Sequence, residues 1–155
     1  MDGATIRITV TGAAGMLGTA LLRTVGPGIE CIPATRMDAD LASAPQVDSL
    51  LSRHRPQCVI HAAAYADVDG CTREPERAMR DNALASAVLA AACAAHGARL
   101  IMVSTDYVFS GEKTEPYAVD DAPDPVNVYG ESKARAEAEI ARAMSDYLIV
   151  RTQWL

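Results

Sequence analysis

Short stretches rich in β-branched residues alternate with longer stretches of helical spacing along the whole chain. We predict strands at residues 5–11, 29–34, 58–61, 99–104 and 147–151. We predict helices at residues 15–25, 44–54, 75–95 and 126–144. Strands that alternate with helices indicate an α/β fold, in which a doubly wound parallel sheet lies between two helical layers. The polar, proline-containing residues 110–125 are too irregular for either element and are predicted to form a functional loop.

The size and charge of the chain narrow the classes of protein that it could represent. Its 155 residues, half of them hydrophobic, predict one domain over residues 1–155. The formal net charge is −6, and no block of lysine and arginine occurs, so we expect neither nucleic acid nor an anionic membrane as a partner. No apolar run approaches the roughly 18 residues of a membrane-spanning helix.

The cysteines and histidines show no spacing typical of a metal site. Four cysteines lie far apart without a CxxC pair: Cys31, Cys58, Cys71 and Cys93. With no signal peptide, they predict reduced thiols in a cytoplasmic protein. The three histidines do not cluster, so no metal site is predicted. His61 is interpreted as a buried core residue rather than a base, and Asp67 and Asp69 as a solvated turn rather than a cation site.

Three glycines follow the first predicted strand and open the first predicted helix: Gly12, Gly15 and Gly18. Glycine lets the backbone turn sharply and approach a ligand closely. The free N–H groups at a helix start attract a pyrophosphate. The spacing is GxxGxxG, not the commoner GxGxxG. Its position between strand and helix favours a dinucleotide-binding loop over a turn that uses glycine for geometry alone, and predicts a Rossmann-like fold.

The residues after the second strand indicate which dinucleotide is bound. An acidic residue at this position suits a free 2′-hydroxyl of the adenosine ribose, whereas an arginine suits a 2′-phosphate. Here Ala34 is followed by Thr35 and Arg36. We therefore predict that NADP(H) is preferred, that NAD(H) is possible, and that Arg36 contacts the phosphate. The alternative is a surface arginine without this role.

Tyr129 and Lys133 are four residues apart and would share one face of a helix. A neighbouring cation lowers the pKa of a tyrosine from its usual value of about 10, which suits the pair to proton donation in a carbonyl reduction. Thr105 ends the fourth strand, at the edge where open parallel sheets bind ligands, and could hydrogen-bond a substrate oxygen. The alternatives are a capping role for Thr105 and a solvated Lys133. Asp106 is interpreted as a loop anchor rather than an acid.

The glycine triplet, the Ser-Thr pair and Tyr-x-x-x-Lys occur in an order that resembles the extended short-chain dehydrogenase/reductase superfamily. Within it, the chain most resembles the dTDP-4-dehydrorhamnose reductases. The resemblance is carried by residues 12–18, 62–65, 68–69, 82–83, 104–109 and 127–133, and by Arg36, Asp40, Leu41, Glu137, Arg151, Thr152 and Trp154.

The resemblance implies transfer of a hydride from the nicotinamide to the C4 ketone of a dTDP-linked 4-keto-6-deoxy sugar. Tyr129 would donate the proton and Thr105 would orient the ketone. Lys133 would lower the tyrosine pKa and hold the nicotinamide ribose. The other implied cofactor residues are Gly12, Gly15, Met16, Leu17, Gly18, Arg36, Asp40, Leu41, Ala62, Ala63, Ala64 and Tyr65. Three positions depart from the family and leave the sugar open: His61, Thr72 and Gln153.

Members of this family are nearly twice as long, and their second half builds the sugar-nucleotide pocket. We therefore expect that this chain lacks the C-terminal substrate domain, either as a fragment or as a natural short protein. The expected activity is that of an NADPH-dependent sugar-nucleotide ketoreductase. The alternatives are a non-catalytic NADP(H)-binding or regulatory module, and an epimerase or reductase of another nucleotide sugar. A homo-oligomer is possible, because a missing half would leave apolar surface and a sheet edge exposed.

Overall fold

Five parallel strands form the centre of the computed structural model, which describes residues 5–153. The strands are β1 (Ile6–Thr11), β2 (Ile29–Ala34), β3 (Cys58–His61), β4 (Arg99–Thr105) and β5 (Tyr147–Thr152). Their order in the sheet is β2-β1-β3-β4-β5. The chain moves from β1 outward to β2 and then returns past β1 to β3, which opens a crevice at the carboxyl edge between β1 and β3. The predicted doubly wound α/β fold is confirmed.

Within residues 5–153, six α-helices connect the strands, together with a π-helical segment (Met79–Leu84) and a 3₁₀ turn (Asp106–Val108). The helices are α1 (Met16–Arg23), α2 (Ala44–His54), α3 (Val68–Arg73), α4 (Pro75–Ala78), α5 (Ala85–His96) and α6 (Val128–Ala143). The predicted single α-helix at residues 75–95 is wrong in its middle, where the π-helical segment joins α4 to α5. Helix α3 and the 3₁₀ turn were not predicted, because neither is long enough to show a periodic pattern. None of the described helices is long and apolar enough to cross a membrane.

The main core lies between the sheet and the layer formed by α2, α5 and α6. It contains Val47, Leu51, Val59, Leu89, Ala90, Cys93, Ala98, Leu100, Met102, Ala136 and Ile140. Helix α5 contacts both α2 and α6, so it is buried on two sides, and its alanines allow this close approach. Burial of each large aliphatic side chain contributes about 1.5–3 kcal/mol, which fixes these helices against the strands and positions their ends at the carboxyl edge.

The opposite face of the sheet carries α1, which contacts β1 and β2. The chain crosses the sheet in one direction through α1 and in the other direction through the later helices. Because such crossovers are right-handed, α1 lies on the opposite face of the sheet. In the edge strand β5, Ile149 packs on the main core, whereas Leu148 and Val150 point to the opposite face and are 52% and 42% exposed. This face therefore presents apolar side chains to solvent. Trp154 lies outside the described residues.

Candidate active site

The glycine loop lies in close contact with the end of β3. Gly12 has a φ of +70°, and a Cβ atom there would lie 2.6 Å from the backbone nitrogen of Ala63. A Cβ atom at Gly18 would lie 2.3 Å from the carbonyl oxygen of Gly12. Position 12 therefore requires glycine because of its positive φ and its close contact with Ala63. Glycine at position 18 lets α1 pack on the loop.

The start of α1 is open to an anionic group. Gly15 is the N-cap residue, no side chain caps the helix, and no acidic residue occurs in its first turn. The backbone N–H groups of Met16 and Leu17 are among those that such a helix start leaves without intrahelical partners. The Met16 side chain is 69% exposed, so contact with a ligand would be made by its backbone.

A cavity of about 580 Å³ lies beside the glycine loop, between the loop after β2 and the π-helical segment. It is lined by eight of the predicted cofactor residues: Gly12, Gly15, Arg36, Asp40, Leu41, Ala62, Ala63 and Ala64. The other five of the thirteen positions named for the dinucleotide are not in its lining: Met16, Leu17, Gly18, Tyr65 and Lys133. Arg80 and Asp81 also line it, although the sequence analysis did not identify either residue.

Asp40 lies between two arginines at the wall of this cavity. Its Oδ1 accepts a hydrogen bond from the backbone N–H of Ala42 at 3.0 Å, and its Oδ2 accepts one from Arg80. The hydrogen bond from Ala42 and the charges of Arg80 and Arg36 lower the pKa of Asp40, against the opposing effect of burial. Arg80 also donates to Asp81 Oδ1 at 2.8 Å.

Tyr65 points away from the cavity. Its phenol donates to Glu74 Oε2 at 2.8 Å, and the Arg77 guanidinium lies 4.1 Å from its ring centroid. Its backbone N–H donates to Asn82 Oδ1 at 2.7 Å. The hydrogen bond to Glu74 is the main cause of a raised pKa for Tyr65. The structure therefore separates the Tyr65 side chain from the other predicted cofactor residues, and assigns it to the packing of α3 and α4.

The imidazole of His61, at the end of β3, is buried and contacts two hydroxyl groups. Its Nδ1 lies 2.8 Å from Thr11 Oγ1, and its Nε2 lies 3.1 Å from Ser86 Oγ. The Ser86 hydroxyl donates to the Asn82 carbonyl oxygen, so Nε2 carries the imidazole proton and Nδ1 accepts from Thr11. Burial, assisted by the charge of Lys133, lowers the pKa of His61 to about 3. This agrees with the interpretation of His61 as a core residue.

Thr105 and Tyr129 meet at the carboxyl edge of β4. Thr105 caps the 3₁₀ turn by accepting a hydrogen bond from the Tyr107 N–H at 3.2 Å. Its hydroxyl also lies beside the Tyr129 phenol and acts to lower the pKa of that phenol, but burial has the larger effect and raises it. The Tyr107 ring meets the Tyr129 ring edge-to-face, with centroids 5.8 Å apart. The structure shows the predicted cap, and the Thr105 hydroxyl itself donates to Asp106 Oδ1 at 3.1 Å. The substrate contact of Thr105 stays a prediction.

Lys133 is buried and donates from Nζ to the Val103 carbonyl oxygen at 2.8 Å. Burial lowers its pKa to about 8, and the charge of Glu137 opposes this. The predicted lowering of the Tyr129 pKa by Lys133 is therefore wrong for this arrangement. The two residues share a helix, but the ammonium group is directed to β4.

Comparison with known proteins places this site in a family. The family model described as the RmlD substrate binding domain matches residues 6–155. The chain belongs to this family. It is 40% identical over 151 residues to a dTDP-4-dehydrorhamnose reductase of Mycolicibacterium smegmatis, covering 96% of this chain and 46% of that protein. It is 35% identical over 150 residues to the spore coat polysaccharide biosynthesis protein SpsK of Bacillus subtilis, covering 96% and 53%.

A solved relative has the same fold as the described part of this RmlD-family chain. The crystal structure of dTDP-4-dehydrorhamnose reductase from Bacillus anthracis, in complex with NADP, superposes with a TM-score of 0.96 at 35% identity. The match covers 99% of this chain and 55% of that one. The predicted family is confirmed, and the chain spans about half the length of the curated relatives that it matches.

Asn82 connects the two sides of this RmlD-family site, a role that the sequence analysis missed. Its side-chain amide donates to Ser132 Oγ at 2.8 Å, and Ser132 in turn donates to the Tyr129 carbonyl oxygen at 2.7 Å. Its Oδ1 accepts from the Tyr65 backbone. The π-helical segment is thereby joined to the start of α6. Residues 82–83 were among those that carry the family resemblance, but nothing local in the sequence indicated this contact.

Glu137 is a second buried polar residue whose role the sequence did not show. It accepts hydrogen bonds from Ser104 Oγ at 2.5 Å and from Arg151 Nη2 at 2.7 Å. The Arg151 guanidinium also lies 4.9 Å from the Phe109 ring centroid, and Phe109 stacks on Tyr117. Glu137 therefore joins α6 to β4 and β5, and Arg151 holds the irregular loop over them.

Proposed function

We propose that this domain binds NADP(H) and provides the proton-transfer residues for reduction of the C4 ketone of a dTDP-4-keto-6-deoxy sugar. The observation that carries the proposal is the contact of Thr105 with Tyr129 at the edge of the sheet that also holds the glycine-loop cavity, while Lys133, four residues after Tyr129, binds Val103 in the same strand as Thr105. The names of the relatives support the substrate class, and the NADP complex of the Bacillus anthracis enzyme supports the cofactor.

The residues present fit a dinucleotide. No side chain caps the start of α1, and three alanines of small volume, Ala62, Ala63 and Ala64, line the same cavity. In this proposal the pyrophosphate binds the backbone of Gly12, Gly15, Met16, Leu17 and Gly18. Asp40 and Leu41 border the adenine, Arg36 binds the 2′-phosphate, and Ala62, Ala63 and Ala64 lie along the middle of the cofactor.

When bound, the reduced nicotinamide supplies the hydride. The Thr105 hydroxyl orients the ketone oxygen by a hydrogen bond. Tyr129 keeps its proton near neutral pH, since burial raises the pKa of its phenol, and passes this proton to the oxygen as negative charge develops there. Lys133 is charged below its pKa of about 8, and in this proposal it holds the nicotinamide ribose.

We also propose that residues 1–155 form the cofactor domain and that a second domain completes the sugar-nucleotide pocket. Two observations support this: the relatives are about twice as long, and Leu148 and Val150 leave an apolar strip on one sheet face. The same strip could instead join two copies of the chain.

The four described cysteines are unpaired, which supports a reducing, cytoplasmic compartment.

Turnover of NADPH with a dTDP-4-keto-6-deoxy sugar tests the proposed reaction in the whole polypeptide that contains this domain. Tyr129→Phe should abolish turnover and leave the NADPH dissociation constant unchanged, because the phenol hydroxyl acts only in proton transfer. Undiminished turnover in this variant contradicts the proposal. Binding of NADPH without turnover of the sugar would instead indicate a non-catalytic module, and interconversion of sugars without net NADPH consumption would indicate an epimerase.

A further inference from the structure

Two residues at the cavity wall carry opposite signals for the choice of cofactor. Arg36 follows β2 and suits a 2′-phosphate, whereas Asp40, four residues later, is an acidic residue of the kind that suits a free 2′-hydroxyl. Both line the same cavity, and the charge of Arg36 acts on Asp40. Which signal prevails depends on whether the Asp40 carboxylate is free to act on a ligand.

Arg80 binds that carboxylate directly. It lies in the π-helical segment, 40 residues along the chain from Asp40, and its Nη2 donates to Asp40 Oδ2. The other oxygen, Oδ1, accepts from the Ala42 N–H. Both oxygens of Asp40 are therefore hydrogen-bonded within the protein, and the Arg80 guanidinium, which Asp81 shares, offsets its negative charge.

The position of Arg80 is itself fixed by charge. Asp81 accepts a hydrogen bond from Arg80 Nη1 at 2.8 Å and lies 3.5 Å from Arg77 Nε. The irregular π-helical backbone places Arg80 and Asp81 in the cavity wall together, although they are consecutive residues. Arg77 instead pairs with Glu74 at 2.9 Å and covers the ring of Tyr65, away from the cavity.

An unpaired carboxylate here would repel a 2′-phosphate and would accept a hydrogen bond from a ribose hydroxyl; a paired one does neither effectively. Resting on the cofactor-binding function proposed above, we propose that Arg80 determines cofactor specificity. By neutralising Asp40, it allows Arg36 to select the 2′-phosphate of NADP(H). Arg80 thus acts through Asp40 and is a positioning residue, not a ligand of the phosphate.

Dissociation constants for NADPH and NADH, measured by fluorescence titration on the whole protein, test this inference. In Arg80→Ala we expect NADPH affinity to fall about three- to tenfold while NADH affinity changes less than about twofold, as suits a partly exposed charge pair. Adding Asp40→Asn to Arg80→Ala should restore the original affinity ratio, since the uncompensated charge is then removed. Arg135→Ala, which removes an exposed charge of α6 that is paired with Glu139 and lies outside this network, should leave the ratio unchanged. The difference in NADPH affinity between the wild type and Arg80→Ala should become smaller at high salt.

Other outcomes would overturn the inference. Equal loss of affinity for both dinucleotides in Arg80→Ala would show that Arg80 supports dinucleotide binding in general and does not discriminate between NADPH and NADH. An unchanged ratio, or a double variant that fails to recover it, would show that Asp40 does not act on the phosphate. In each of these cases the wild-type protein still binds dinucleotides, so the proposed function survives; a wild type that binds neither NADPH nor NADH contradicts both. Thermal unfolding of each variant confirms that the affinities refer to folded protein.

Discussion

A Cβ atom at Gly130 would lie 2.1 Å from the carbonyl oxygen of Tyr107. The absence of a side chain at Gly130 therefore lets the first turn of α6 rest directly on the 3₁₀ turn that follows β4. Asn127 fixes this end of the helix by accepting a hydrogen bond from the Gly130 N–H at 2.8 Å. This contact brings Tyr129 beside Thr105.

Gly130→Ala should destabilise the protein by about 2–4 kcal/mol, because backbone atoms, rather than a flexible side chain, occupy the space that the methyl group needs. Urea denaturation measures the change in the free energy of unfolding. Gly26→Ala is the matched control, since nothing lies within 4 Å of a Cβ atom at that position. Equal stability of the two variants would show that the contact at Gly130 is not tight.

Lys133→Met should remove a pH dependence of stability at alkaline pH. Burial lowers the pKa of Lys133 to about 8 from 10.5, so between these values the unfolded chain binds the proton that the folded protein has lost. Stability contributed by this group is therefore present above pH 10.5 and is lost as the pH falls through 8. The free energy of unfolding of the wild type, relative to the variant, should rise by about 3 kcal/mol over this window. A constant difference would contradict the lowered pKa.

His61→Asn should make the protein less sensitive to mild acid. The pKa of His61 is about 3 in the folded protein, against 6.5 for the ordinary group, so its stabilising effect is present above pH 6.5 and is lost as the pH falls toward 3. At pH 4.5 the wild type should have lost about 3 kcal/mol more than the variant, relative to pH 7. Denaturation at both pH values measures this difference, and parallel losses in the two proteins would argue against a buried neutral imidazole.

Arg36→Ala should lower the affinity for NADPH about tenfold or more without altering the affinity for NADH, because a guanidinium bonded to a phosphate contributes more than a neutral contact. Binding titrations with both dinucleotides measure the ratio. The effect should persist when Asp40 is also changed to Asn, in contrast to the effect of Arg80→Ala. A ratio that does not change in Arg36→Ala would remove Arg36 from the phosphate site.

Local sequence patterns were sufficient to predict the fold and the edge of the sheet at which the site lies. Alternating apolar patterns are local properties, and a glycine triplet between strand and helix has few structural uses, so β1, α1 and the loop between them could be predicted from neighbouring residues alone. Thr105 and Tyr129 could be assigned to one edge because parallel strands end on the same side of a sheet.

The tertiary structure decided which side chains meet at that edge. Arg80 pairs with Asp40 across 40 residues, and Asn82 reaches Ser132 across 50, contacts that no local pattern encodes. Spacing on a helix placed Lys133 near Tyr129, yet burial against β4 directs its ammonium group to the Val103 carbonyl oxygen. Periodic patterns record which face of an element is buried, whereas the partner of a buried polar group depends on how distant elements pack, and only the folded chain fixes that.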